Sequence, residues 1–191
     1  MTTEQDKTIL NSPASSDEPE LEDSIPNGEV VVEVEKIAER QRQITAKILI
    51  PQPVEKVWRI LTDYEALADF IPNLSKSRRL EHPNGGIRLE QVGSQSLLNF
   101  KFCARVVLDL EEIFPNQIKF QMVEGDFKGF SGSWSLESYS CGTQQGTSLC
   151  YTIQIWPKLT MPISLIERRL NKDVQVNLLA IRQRTLEFCG C

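Results

Sequence analysis

A chain of 191 residues with 40% hydrophobic and 25% charged side chains has the make-up of an ordinary globular domain, large enough to bury its own core. No run approaches the eighteen or so consecutive apolar residues of a membrane-spanning helix. The formal net charge of −5 resides in the first 28 residues, whose seven acids and one base give −6; the rest is nearly neutral and offers no basic footprint for nucleic acid.

Residues 1–28 are polar and acidic, with scattered Ser and Pro, and hold too few apolar groups to offset the entropy of ordering. They predict a disordered acidic tail before a single domain over 29–191. The N-terminus has neither a basic n-region nor an apolar h-region, and its acidity does not suit a transit peptide. The cysteines are odd in number: Cys103, Cys141, Cys150, Cys189 and Cys191. Together these features predict reduced thiols and a cytoplasmic protein. Cys189 and Cys191 are spaced too closely for a C-x-x-C pair and read as a frayed end.

Val30 to Ile50 alternates with period two, the mark of a strand. Its polar stretch Glu39–Gln43 is either a turn or a bulge in one long strand. Pro51 to Leu74 reads as two short helices. Val54, Val57, Trp58 and Leu61 share one face of the first, after Pro53 at its start. Tyr64, Leu67, Ala68 and Ile71 share a face of the second, which Thr62 or Asp63 would cap and Pro72 would end. Neither is long enough to stand alone in water, so both must lie on a larger apolar surface.

Short strands follow over 75–81 and 87–92, joined by the turn His82-Pro83-Asn84-Gly85-Gly86, with a break at Gly93–Ser96. The clearest alternation is over 98–110. Phe100, Phe102, Ala104, Val106, Leu108 and Leu110 take one face, and mostly polar residues the other, as in an antiparallel sheet covered on one side. Three more strands follow, around Phe120, Trp134 and Ile153, and Cys141 and Cys150 flank the last hairpin. A loop bracketed by Pro157 and Pro162 leads into a long helix over about 163–188. Ile163, Ile166, Leu170, Val174, Leu178, Ile181 and Thr185 form its apolar stripe, which must lie across a sheet.

The stretch Pro53, Val57, Trp58, Leu61, Thr62, Asp63, Tyr64, Glu65, then Phe70, Ile71, Pro72, Leu74 and Ser77, resembles the opening of the START-like (SRPBCC) superfamily. More narrowly it resembles the polyketide cyclase/dehydrase and coenzyme Q-binding branch. The later element order fits from Val30 to Phe188. The resemblance implies an α+β helix-grip fold, in which a curved antiparallel sheet of about seven strands wraps a long C-terminal helix and two short helices follow the first strand.

One helix cannot fill the concave face of such a sheet, so the fold predicts an apolar cavity. The inward set names its walls: Phe100, Phe102, Val106, Phe120, Met122, Phe130, Trp134, Leu136, Tyr151, Ile153 and Ile155 from the sheet, and Ile166, Leu170, Val174 and Leu178 from the helix. Its gates would be the Pro72 region, the turn over 125–129 and the loop over 157–162. Catalytic signals are sparse. His82, the single histidine, reads as a solvated turn residue, and a Ser–His or Cys–His pair would depend on it. No cluster has metal-ligand spacing, no glycine-rich piece has phosphate-loop spacing, and no cofactor is expected.

The expected function is therefore binding, carrying or chaperoning an apolar small molecule, with lipid or isoprenoid quinone as leading classes. The alternative is an aromatase/cyclase or dehydratase acting on a polyketide-like substrate, with Tyr151 as its best inward polar residue. A third reading is an interaction module using the acidic tail. Arg168, Arg169 and Lys172 are placed for transient contact with a membrane surface.

Overall fold

The computed structural model describes residues 28–97, 100–141 and 143–188, without the side chains of 94–102, 141 and 144. The expected tail over 1–27, and Cys189 and Cys191, lie outside the described residues. Eight strands form one antiparallel sheet in the order β1-β2-β8-β7-β6-β5-β4-β3. They are β1 (Val30–Ala38), β2 (Gln41–Ile50), β3 (Leu74–Leu80), β4 (Ile87–Leu97), β5 (Phe100–Ile113), β6 (Gln117–Gly125), β7 (Gly129–Cys141) and β8 (Gln144–Trp156). The strand count is eight because Glu39 and Arg40 form a turn: β1 pairs with β2 as a hairpin, Val30 opposite Ile48.

Helices α1 (Val54–Thr62) and α2 (Leu67–Phe70) carry the chain from β2 to the far edge at β3. From there it meanders back until β8 pairs with β2, Ala46 opposite Tyr151. Helix α1 buries Val54, Val57, Trp58 and Leu61, the face its spacing implies, and also Ile60. The expected cap at Thr62 or Asp63 does not form. Thr62 Oγ1 donates back to the Trp58 carbonyl at 2.9 Å, and α2 is a single turn entered through Ala66. Gly93–Ser96 does not break a strand either. Strand β4 runs through it to Leu97, with Gly93 opposite Ala104.

Helix α3 (Ile163–Glu187) behaves differently along its length. Val174, Leu178, Ile181 and Thr185 are buried, while Ile163, Ile166 and Leu170 are only half-buried. The buried half joins α1, β2, Leu136 and Leu149 in the main core. A second, smaller cluster of Val106, Leu108 and Phe120 lies on β5 and β6. The sheet also opens near this cluster. Strands β6 and β7 pair only over Gln117–Gln121 with Ser131–Ser135, so beyond Gln121 they part and the turn between them is free to fold over.

On the β3–β4–β5 side, Glu90 is buried on the face opposite Leu89, a cavity-facing residue. Hydrogen bonds from Lys76, Arg105 and Arg78 hold its carboxyl down at about 2. His82 is less solvated than its turn suggests. Its Nδ1 accepts from the Asn84 and Gly86 amides at 3.1 and 3.0 Å, and its Nε2 lies 3.3 Å from Asp109. It staples the turn and is absent from the cavity wall. Cys150 sits opposite Ser135 and Cys141 opposite Gln144, so those two cysteines are not a cross-strand pair.

Candidate functional site

Between the half-buried part of α3 and strands β4 to β8 lies a cavity of about 240 Å³. It is just under the roughly 300–1,000 Å³ usual for small-molecule pockets. Of the residues named from sequence, Val106, Phe120, Phe130, Trp134, Tyr151, Ile153, Ile166, Leu170 and Val174 line it. Met122, Leu136, Ile155 and Leu178 do not. Leu136 and Leu178 are fully buried in the main core, and Ile155 is 2% exposed. Met122 packs on the small cluster beside the Gly125 turn. Strand and helix parity assign a face, but not which part of that face is covered by other side chains. The side chains of Phe100 and Phe102 lie outside the described residues.

The helix pair contributes Leu61, Tyr64, Leu67 and Ile71, none of which was in the inward set. Tyr64 is 4% exposed and donates to Glu112 Oε1 at 2.6 Å; burial and this bond push its pKa up. Ser77 Oγ donates to the Tyr64 carbonyl at 2.6 Å, which fixes the loop after α1 against β3. Phe127 enters from the β6–β7 turn, as the parting of those strands allows. That turn is tied down where Arg105 N donates to Asp126 at 2.7 Å, and Lys128 N reaches the Trp156 carbonyl at 2.8 Å.

Five rings on the wall form a continuous row. Phe127 stacks on Phe130 at 5.9 Å, Phe130 on Phe120 at 5.7 Å, and Phe120 meets Tyr151 at 6.0 Å. Tyr151 lies flat on Trp134, with centroids 3.6 Å apart. The Tyr151 phenol makes no hydrogen bond among the described residues, and burial alone raises its pKa. It therefore stays protonated and can donate.

The polar residues on the wall are few. Arg169 and Asp173 are its charged ones, and Asn73 Nδ2 donates to Asp173 at 3.2 Å. Gln91 donates to Ser77 Oγ at 3.3 Å. Asn177 Oδ1 is buried without a hydrogen-bond partner among the described residues. Asp173 and Asn177 follow Leu170 at i+3 and i+7, so a polar side chain at helical spacing within the apolar stripe was the available signal. Among the described residues, no three His, Cys, Asp or Glu side chains gather into a metal site. No helix among them is long and apolar enough to cross a membrane.

A curved sheet gripping a C-terminal helix around an apolar cavity defines a START-like protein. The sequence profile described as polyketide cyclase / dehydrase and lipid transport matches residues 50–179, more than half of the chain, and the chain belongs to that family. No curated protein sequence matches it. Among solved structures, TTHA0849 from Thermus thermophilus is similar at 23% identity and TM-score 0.63, covering 78% of this chain and 99% of its own. The Zhui aromatase/cyclase from Streptomyces sp. R1128 superposes with TM-score 0.61 at 16% identity, over 76% of this chain and 94% of that one. The STAR-related lipid transfer protein from Xanthomonas axonopodis gives 0.60 at 14%, over 82% and 99%. At these identities the likeness is one of fold.

Proposed function

We propose that this protein holds one apolar small molecule in the cavity and carries it, with lipids and isoprenoid quinones as the leading classes. The supporting observation is the wall itself: apolar residues from the sheet and all three helices converge on one space, with one Arg and one Asp as its charges. Affinity would come from buried apolar area, about 25 cal/mol per Å² before ordering costs. The STAR-related lipid transfer protein and the Zhui aromatase/cyclase share this fold, so carriage and cyclisation both have precedent on it. The unpaired, protonated Tyr151 phenol supports the second reading, a cyclase or dehydratase on a polyketide-like substrate, in which it would donate to a substrate oxygen. In that case Tyr151→Phe loses turnover and keeps binding.

Loading at a membrane surface belongs to the same proposal. Trp156 at the end of β8, Leu159 on the loop after it and Leu165 in the first turn of α3 are exposed by 42, 72 and 47%, and this segment leads into the cavity-lining part of α3. Lys128, Lys158, Arg168 and Lys172 are exposed around them. Exposed Trp and Leu ringed by cations suit an anionic bilayer interface. The apolar fluorescent probe N-phenyl-1-naphthylamine is expected to bind saturably, one per chain. Protein mixed with vesicles containing phosphatidylglycerol is expected to pellet with them. Trp156→Ser with Leu159→Ser keeps the first result and loses the second. Probe binding that never saturates would overturn the cavity reading, and pelleting unchanged in the double variant would overturn the membrane face.

A further inference from the structure

Helix α3 has a second stripe, on the side away from its core residues Val174, Leu178 and Ile181. Leu165, Arg168, Lys172, Val176 and Leu179 follow one another at i, i+3, i+7, i+11 and i+14, within about 80° of arc on a helix of 3.6 residues per turn. Leu165 and Leu179 are 47 and 45% exposed, Arg168 and Lys172 are exposed, and Val176 is half-buried. The stripe holds no acid, and its two cations make no ion pair or hydrogen bond among the described residues. The cations on the outer face of the sheet are committed, by contrast: Lys76, Arg78 and Arg105 to Glu90, and Arg88 to Asp109.

An apolar and cationic face calls for an acidic, partly apolar cover, and the chain carries one beside it. Residues 17–25 read Asp-Glu-Pro-Glu-Leu-Glu-Asp-Ser-Ile, five acids with Leu21 and Ile25, and no base occurs from 8 to 27. This segment lies outside the described residues, but its point of entry does not. At Gly28 an added Cβ would stand 3.4 Å from the Arg182 guanidinium carbon, so the chain arrives against α3. Leu179 is three residues from Arg182, about 4.5 Å along the helix axis, and Lys172 is ten, about 15 Å. Ile25 is three residues from Gly28 and Leu21 is seven, reaches of about 10 and 25 Å in extended chain.

We propose that residues 17–25 fold back over the outer stripe of α3, with Leu21 and Ile25 against Val176 and Leu179 and their acids beside Lys172 and Arg168. Exposed ion pairs contribute little singly, but so short a tether supplies an effective concentration of the order of millimolar, and weak contacts suffice. A segment too polar to fold alone can still be ordered by a complementary surface. Leu165, Arg168 and Lys172 also belong to the face assigned above to an anionic bilayer. Cover and bilayer therefore exclude each other, and the tail is a built-in brake on membrane docking. The brake rests on that membrane reading; the cover itself does not.

A water-soluble carbodiimide, which joins a carboxylate directly to an amine, detects the cover in the full chain without any substitution. In an equal mixture of unlabelled and isotope-labelled protein, the expected main product links Lys172 to an acid between Asp17 and Asp23 of the same chain. Its yield is expected to fall about threefold or more in Leu21→Ser with Ile25→Ser, and likewise in Leu179→Ser, none of which changes a charge. Tail links to the exposed Lys119 as abundant as those to Lys172, links mainly between chains, or a yield unchanged in these variants would overturn the cover. Pelleting with phosphatidylglycerol vesicles tests the brake. A face covered about nine-tenths of the time binds about tenfold more weakly than a bare one. Leu21→Ser with Ile25→Ser is therefore expected to bind the vesicles more tightly, by a factor approaching about ten, whereas mere repulsion between tail and bilayer predicts no gain. No gain in a protein that shows the cross-link would overturn the brake. Pelleting by neither protein would overturn the membrane reading and leave the cover standing.

Discussion

Leu178→Asp is expected to leave no folded domain, whereas Leu170→Asp, two turns earlier on the same helix, is expected to fold and lose its ligand. Leu178 is fully buried in the main core, among α1, β2 and Leu136. A carboxylate there has no partner and no water. Even the neutral truncation Leu178→Ala should cost about 2–5 kcal/mol. Adding an unpaired buried charge takes the loss into the range of a whole domain's stability, about 5–15 kcal/mol. Leu170 is half-buried at the cavity, where a carboxylate can keep its hydration by wetting the space the ligand would fill. Far-ultraviolet circular dichroism should show a lost fold for the first variant and a native one for the second. Titration of the second with N-phenyl-1-naphthylamine should give no saturable binding. Retention of the probe by folded Leu170→Asp would put the cavity elsewhere.

Gly132→Ala carries the next largest effect, and it acts through the aromatic wall. Gly132 lies on a central strand, opposite Phe120 on β6 and Ile153 on β8. A Cβ there would collide with the Thr152 carbonyl oxygen, lie 2.6 Å from Phe120 Cζ and 3.0 Å from the Thr152 carbonyl carbon. The ring could turn aside, but the backbone of β8 is held by β7 and β2 on its two sides. Gly132 is the gap into which the Phe120 ring fits, a use of glycine where another group approaches closely. Overpacking by one methyl should cost on the order of 3 kcal/mol here, or about 10 °C in Tm for a chain of this size. It should also disturb the cavity wall and weaken the binding of N-phenyl-1-naphthylamine, because Phe120 is displaced from the row. A Tm within about 2 °C of wild type would mean that the sheet yields at this point.

The parts of the fold set by periodicity were legible from sequence. The α1 stripe, the inward face of β5 from Ala104 to Leu110 and the long C-terminal helix all follow from spacing alone. The resemblance carried by Pro51 to Leu74 supplied how they assemble. Four features were not legible, for separate physical reasons. A two-residue turn at Glu39 and Arg40 contains no Gly or Pro, so the hairpin of β1 and β2 had no breaker to announce it. Gly93–Ser96 looked like a breaker, but a glycine within a sheet need not end a strand when both neighbours continue the ladder. Leu136 and Leu178 share parity with true lining residues and differ only in how far along the element they lie, which depends on where α1 packs. Asn177 stands within an apolar stripe, and its spacing gives no sign that its amide oxygen is buried without a hydrogen-bond partner among the described residues.

The measurement that tests the central claim most directly is native mass spectrometry of the full chain purified from its own cells, followed by organic extraction and identification of what is released. One apolar molecule per chain, lost from Leu170→Asp, is the expected result. Protein that is uniformly empty and remains so when offered its own cell's lipid extract would contradict the account and leave the fold a scaffold around an unused space.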